Sequence, residues 1–150
     1  MSAAEFIKRH EGYRKTPYKC TAGYKSIFYG RNYETMGFSV DELDLILSNL
    51  KDNELTVEIA NRTLKHDMEW AYSALNHIFA DFSEFSEKRQ DALVSIMYNL
   101  GVKRFNGFKK MIAAIHNNDW IEAGLQLQDS KRHEQITNRS EEEATMLMNG

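Results

Sequence analysis

The sequence predicts an α+β fold, a small N-terminal β-hairpin lobe packed on a larger helical lobe, from three observations. One stretch, Thr16 to Phe38, mixes Tyr18, Tyr24, Ile27, Phe28, Tyr29 and Tyr33 with Gly23, Gly30 and Gly37, the composition of short strands and tight turns. From Ser39 onward, apolar residues recur at three- and four-residue steps, the period of helices with one buried face. The chain has 150 residues, 42% of them hydrophobic, which suits one core and does not suit a disordered chain. The expected partition is a single domain with the hairpin lobe at about 12–55 and the helical lobe at 1–11 and 56–150.

Residues 3 to 10 suit a short helix, and the strand candidate after it holds Pro17, the only proline. Ser39 and Glu42 stand at N-cap and N3 spacing, with Leu43, Ile46, Leu47 and Leu50 on one face of the helix they open. A second helix begins near Thr56 and carries Ala60, Leu64, Ala71, Leu75 and Ile78 as its stripe, with Asp67 inside it. A buried carboxylate needs a partner, so either a cation comes from elsewhere or the stripe is rotated and Asp67 borders solvent. Ser86 to Leu100, Phe108 to His116 and Trp120 to Gln128 read as further helices, punctuated by Gly101 and by Asn117 with Asn118. The last helix, about Asn138 to Met148, starts basic and then places Glu141, Glu142 and Glu143 in its first turn, where the helix dipole favours negative charge.

Charge and composition exclude several classes. A single cysteine, Cys20, cannot form an internal disulfide, and no stretch approaches the ~20 apolar residues of a membrane helix. The N-terminus lacks the apolar run of a signal peptide, so cytoplasmic synthesis is expected. The net charge of -3 conceals an asymmetry: residues 8 to 31 hold seven basic side chains against Glu11, and residues 32 to 58 hold seven acidic ones against Lys51. Such blocks either steer an anionic polymer or are two solvated faces attracting each other. There is no phosphate-binding glycine loop, no Cys-His metal spacing and no nucleophile elbow, so neither a metal nor a cofactor is expected. His10, His66, His77, His116 and His133 are scattered, and the methionines suit packing.

The unusual segment runs from His10 to Asn32. It places a carboxylate, Glu11, at the end of the first helix, a thiol, Cys20, nine residues later and a hydroxyl, Ser26, six further on. By spacing alone these read equally as a surface glutamate, an inert thiol and an incidental strand serine. The order Glu-Gly-x-Arg, Tyr-x-Cys-x-x-Gly-Tyr and Ser-Ile-x-Tyr-Gly resembles the N-terminal signature of phage endolysins of the T-even phage lysozyme type, muramidases of glycoside hydrolase family 24. The similarity extends to the helix with Asp67, Tyr98-Asn99-Leu100-Gly101, Phe105-x-Gly107-Phe108, Asp119-Trp120-x-Glu122-Ala123 and Asn138-Arg139.

The resemblance implies a lysozyme-like fold whose active-site cleft lies between the lobes, and cleavage of the β-1,4 bond between N-acetylmuramic acid and N-acetylglucosamine. It implies Glu11 as general acid, kept protonated by partial burial, because a sugar alkoxide leaves poorly without a proton. Cys20 occupies the place usually held by aspartate, as thiolate base or electrostatic stabiliser; a free thiol ionises near about 8.5, so Arg14 or Lys19 would have to assist. Ser26 replaces a threonine and would hold a water. Phe28 replaces a glycine: it is strained if φ is positive, and otherwise narrows the cleft or stacks on a sugar. Substrate contacts are implied for Phe28, Tyr29, Asn99 and Phe108, and a structural pair for Asp67 with Arg31, which stands where the family commonly has histidine. The implied partners are bacterial peptidoglycan and a separate holin, with no nucleic acid, no stable membrane insertion and a monomeric state. The implied location is the host bacterial cytoplasm, with action on the periplasmic wall after permeabilisation. Cys20, Ser26 and Phe28 together keep open an alternative, a lysozyme-fold module that binds peptidoglycan or another partner without cleaving it.

Overall fold

A computed structural model describes residues 1–20, 23–48 and 53–150. The chain is mostly helical with one three-stranded antiparallel sheet, an α+β fold. It divides into two compact units, Ala4–Glu69 and Met1–Ala3 with Trp70–Gly150.

The smaller unit takes in α1 (Ala3–Glu11) from Ala4 onward; the helix buries Phe6 and Ile7 and places Glu5 in its first turn and Lys8, Arg9 and His10 in its last, in the sense the dipole favours. Gly12, with φ 70°, ends it by donating its N–H to the Lys8 carbonyl at 3.0 Å. Strands β1 (Arg14–Lys19), β2 (Lys25–Phe28) and β3 (Arg31–Asn32) follow in spatial order. Tyr18 faces Ser26, Lys19 faces Lys25, and Ser26 faces Asn32. Between Arg14 and Tyr18 the register shifts, and Pro17, which has no ladder donor, falls inside that irregularity on an edge strand.

The expected run of strands and turns to Phe38 is too long. Tyr33–Met36 is a short helix, α2, because Asn32 caps it by accepting from the Thr35 N–H at 3.2 Å. Next comes α3 (Val40–Ser48), opened by a reciprocal capping box: the Ser39 N–H donates to Glu42 Oε1 at 2.8 Å and the Glu42 N–H to Ser39 Oγ at 3.3 Å. Its buried face differs from the one predicted. Leu43 is exposed, while Glu42 is buried and Leu45 and Ile46 pack against a core of Phe28, Ile59 and Ala60. Glu42 turns inward, which rotates the face by one residue. Leu50 and the side chains of Leu47 and Thr56 lie outside the described residues. The long helix α4 (Asn53–Ile78) starts three residues before the predicted Thr56.

In the larger unit, the remainder of α4 leads through a 3-10 turn, Phe82–Glu84, to α5 (Glu87–Asn106), α6 (Lys109–His116), α7 (Trp120–Gln128), α8 (Lys131–Gln135) and α9 (Thr137–Asn149). Leu75, Phe79, Phe82, Leu93, Ile96, Met97, Phe105 and Leu127 are fully buried or nearly so. Gly101 does not end α5; it breaks it, with φ 76° and ψ 166°, and helical backbone resumes to Asn106. The last helix starts at Thr137, so Glu141 to Glu143 fall beyond its first turn and Glu143 is buried instead of complementing the dipole.

Candidate active site

Glu11 is the last residue of α1 and is half-buried. Its carboxyl rests against the backbone of Gly30: a Cβ built on Gly30 would lie 2.9 Å from Glu11 Oε2 and 3.2 Å from Cδ. Gly30 also has φ 87°, a turn conformation that favours glycine, and any side chain there would push the Glu11 carboxyl aside. The turn between β2 and β3 thereby sets where the Glu11 carboxyl sits.

Ser26 lies on central strand β2, 1% exposed, directly across from Tyr18. The Tyr18 hydroxyl is held above the usual tyrosine range, first by burial and then by the nearby Glu11 and Cys20, with Arg14 opposing. The Arg14 guanidinium stacks over the Tyr18 ring at 4.6 Å. Cys20 is a half-exposed free thiol at the hairpin turn; its N–H donates to the Tyr24 carbonyl and its carbonyl accepts from Gly23, each at 2.9 Å.

Phe28 requires a correction. It takes a positive φ of 60°, the strained alternative, and its ring is 4% exposed in the core with Ile59 and Ala60. Burial of the benzyl group offsets the backbone strain, and the ring is not offered to a sugar. Tyr29 is half-buried, with Lys8 Nζ over its ring at 5.3 Å and Tyr13 beside it at 5.7 Å.

Arg31 is almost completely buried, and all five of its N–H groups have acceptors. Nε donates to Asp67 Oδ2 at 2.9 Å, Nη1 to Glu42 Oε1 at 2.9 Å and the Gly37 carbonyl at 3.1 Å, and Nη2 to Glu42 Oε2 at 2.9 Å and the Thr63 carbonyl at 3.2 Å. Burial would raise the Glu42 carboxyl, but the bidentate Arg31 and the Ser39 N–H outweigh it and hold it at about 2. At Asp67 burial wins over the single Arg31 contact and the carboxyl is pushed up. His66 Nδ1 completes the cluster, 3.2 Å from Glu42 Oε2. Glu42 was not foreseen as a partner because its capping-box spacing already explained it.

Asn99 and Phe108 belong to the larger unit. Asn99 is an exposed residue of α5 whose Oδ1 accepts from Arg132 Nε at 2.8 Å. Phe108 is half-buried at the start of α6 and makes no side-chain cap.

The family described as phage lysozyme matches this chain over residues 8–143. The pre-baseplate central spike protein Gp5 of Enterobacteria phage T4 is 24% identical over 161 aligned positions, taking in all of this chain and 28% of that protein. The chain thus spans less than a third of that relative's length.

Proposed function

We propose that this chain, which belongs to the phage lysozyme family, is a peptidoglycan muramidase that cuts the β-1,4 bond between N-acetylmuramic acid and N-acetylglucosamine with Glu11 as general acid. The observation that carries the assignment is the seat of the half-buried Glu11 carboxyl, at the end of α1, against the bare Cα of Gly30 in the turn between β2 and β3. In the reaction Glu11 gives its proton to the glycosidic oxygen as the C–O bond breaks. A water adds to the anomeric carbon from the other face and loses its proton to the Cys20 thiolate or to solvent. Ser26 holds that water, and Arg31 fixes the turn that carries Gly30. Burial of Phe28 in the core removes one of the three departures that kept the binding-only alternative open. Replacing Glu11 by Gln removes the transferable proton; clearing of permeabilised Gram-negative cells should slow by at least ~10²-fold. Retained activity in that variant would remove Glu11 from the mechanism.

Two routes to the wall are compatible with this chemistry. In the first, the protein accumulates in the host cytoplasm and reaches peptidoglycan through a separate holin. In the second, favoured by the likeness to a central spike protein, it belongs to the virion and opens the wall at entry. Expression in bacteria should leave cells intact until a holin is co-expressed. Prompt lysis by the protein alone would overturn the need for that partner, and its recovery in purified virions would assign it to the second route.

A further inference from the structure

In an antiparallel pair, residues directly opposite each other share a face, and the next pair along lies on the other face. Tyr18 faces Ser26 and Lys19 faces Lys25, so the pair beyond them, Cys20 and Tyr24, returns to the side of Tyr18 and Ser26. That pair is joined by the Cys20 N–H, which donates to the Tyr24 carbonyl at 2.9 Å. Gly23, with φ 85°, precedes Tyr24 and donates to the Cys20 carbonyl at 2.9 Å, which closes a short hairpin turn on a glycine. Burial first, and then the charges of Glu11 and Cys20, raise the Tyr18 hydroxyl, which places the Glu11 carboxyl near Tyr18. Exposure increases along this face toward the tip: Ser26 is buried, Cys20 is half-exposed and Tyr24 is 45% exposed.

The other tyrosines of the smaller unit have partners. Tyr13 lies against Tyr29, Tyr18 under the Arg14 guanidinium and Tyr33 against Phe38. Tyr24 differs: among the described residues no ring or cation rests on it and its side chain makes no hydrogen bond. A ring left bare in water on a hydrogen-bonded turn stabilises nothing in the free protein, and its apolar area contributes only when a ligand covers it. We propose that Tyr24 is a stacking platform for a sugar ring of the glycan strand, one binding position farther toward the hairpin tip than Ser26 and Cys20, with its ring against the C–H face of the pyranose. This rests on the muramidase reading, which supplies a polymer whose sugars continue past the reacting one. The shared face selects that occupant: Tyr24 stands on the side of Ser26 and Cys20, whereas Lys19 and Lys25 stand on the other.

The test uses the full chain carrying Glu11→Gln as parent, so that the polymer is bound and not consumed, and measures sedimentation with purified insoluble peptidoglycan. Tyr24→Ser removes the ring; binding should weaken about 5- to 10-fold, the worth of covering the exposed part of one aromatic side chain. Tyr24→Phe and Tyr24→Trp keep a ring without the phenol and should restore what Tyr24→Ser loses. Parental binding by Tyr24→Ser would overturn the proposal, and so would a Tyr24→Phe protein as weak as Tyr24→Ser, which would assign the contact to the hydroxyl. In the active protein Tyr24→Ser should raise KM, and a fall in kcat with KM unmoved would overturn the platform in favour of a role in holding the turn. If Tyr24→Ser lowers the unfolding midpoint markedly, the ring protons of Tyr24 in the parent decide by nuclear magnetic resonance with soluble disaccharide–peptide fragments of peptidoglycan. Contacts from the ring to sugar protons are expected; contacts to peptide protons alone, or none, overturn the proposal. A parent that does not bind peptidoglycan overturns the muramidase reading and this one with it, whereas a parent that binds with Tyr24 indifferent overturns this one alone.

Discussion

Cys20 combines a hydrogen-bonded backbone with a half-exposed thiol: its N–H donates to the Tyr24 carbonyl and its carbonyl accepts from the Gly23 N–H at the hairpin turn, one residue beyond Lys19, which faces Lys25. If its thiolate receives the proton of the attacking water, Cys20→Asp should retain or raise the rate of cell-wall clearing, since aspartate is ionised over the whole working range. Cys20→Ala should be much slower. Equal rates for Cys20→Ala and wild type would make the thiol a packing residue and leave the attack to a water held by Ser26. At this scale, legibility followed chemical incongruity. An acidic residue inside an apolar stripe demands a cation, and Arg31 donates to Asp67. Glu42 lacked that mark, because its capping box with Ser39 accounts for it locally while its second use depends on a strand eleven residues earlier. Phe28 was readable only as two alternatives, since whether a ring turns to core or solvent depends on a φ that composition does not encode.

Among elements, α7 and α9 approach closely because of Gly124. Its Cβ, if present, would lie 2.5 Å from Met148 Cε and 3.1 Å from the Ala144 carbonyl. In an ordinary helix glycine to alanine gains roughly 1 kcal/mol, but here the new methyl meets a neighbour's backbone as well as a flexible side chain. Gly124→Ala should therefore destabilise the protein by about 1 to 2 kcal/mol, measured by urea unfolding. In a Met148→Ala background the loss should shrink, and a stabilising Gly124→Ala would show that α9 yields freely. The helices with a periodic apolar stripe were legible, and α7 also announces itself through Asp119, whose side chain accepts from the Glu122 N–H. Helix α8 was not, because Lys131-Arg132-His133-Glu134-Gln135 has no apolar period at all; it is held by the Ser130 cap and by Arg132 bonding inward. Glu143 was misplaced for the same reason: in an acidic triplet nothing local marks the one member that two arginines bury.

For the molecule as a whole, the basic and acidic blocks of the sequence meet in the smaller unit through Arg31 and Glu42, which makes its stability depend on pH with a definite sign. Glu42 titrates near its ordinary value of 4.5 when unfolded and at about 2 when folded. A carboxyl depressed by folding stabilises fully above the unfolded value, and that contribution is lost as pH falls through the folded one. Here it amounts to about 3 kcal/mol, disappearing between about pH 5 and 2. Asp67 works in the opposite direction: burial raises it, so protonation in the folded state relieves a disfavoured charge and softens the upper part of the decline. The net expectation is a falling unfolding midpoint below about pH 5, since the well-bonded Glu42 dominates the pair. Glu42→Gln isolates the effect from every other carboxylate. At pH 7 it should cost about 3 kcal/mol or more, because Arg31 keeps a buried charge with half its ionic partners gone. As pH falls the wild-type and Glu42→Gln midpoints should converge, meeting near pH 2, where Glu42 is itself becoming neutral. Curves that stay parallel from pH 7 to pH 2 would show that the Arg31–Glu42 contact does not distinguish the ionised from the protonated carboxyl, and that acid sensitivity in this chain arises elsewhere.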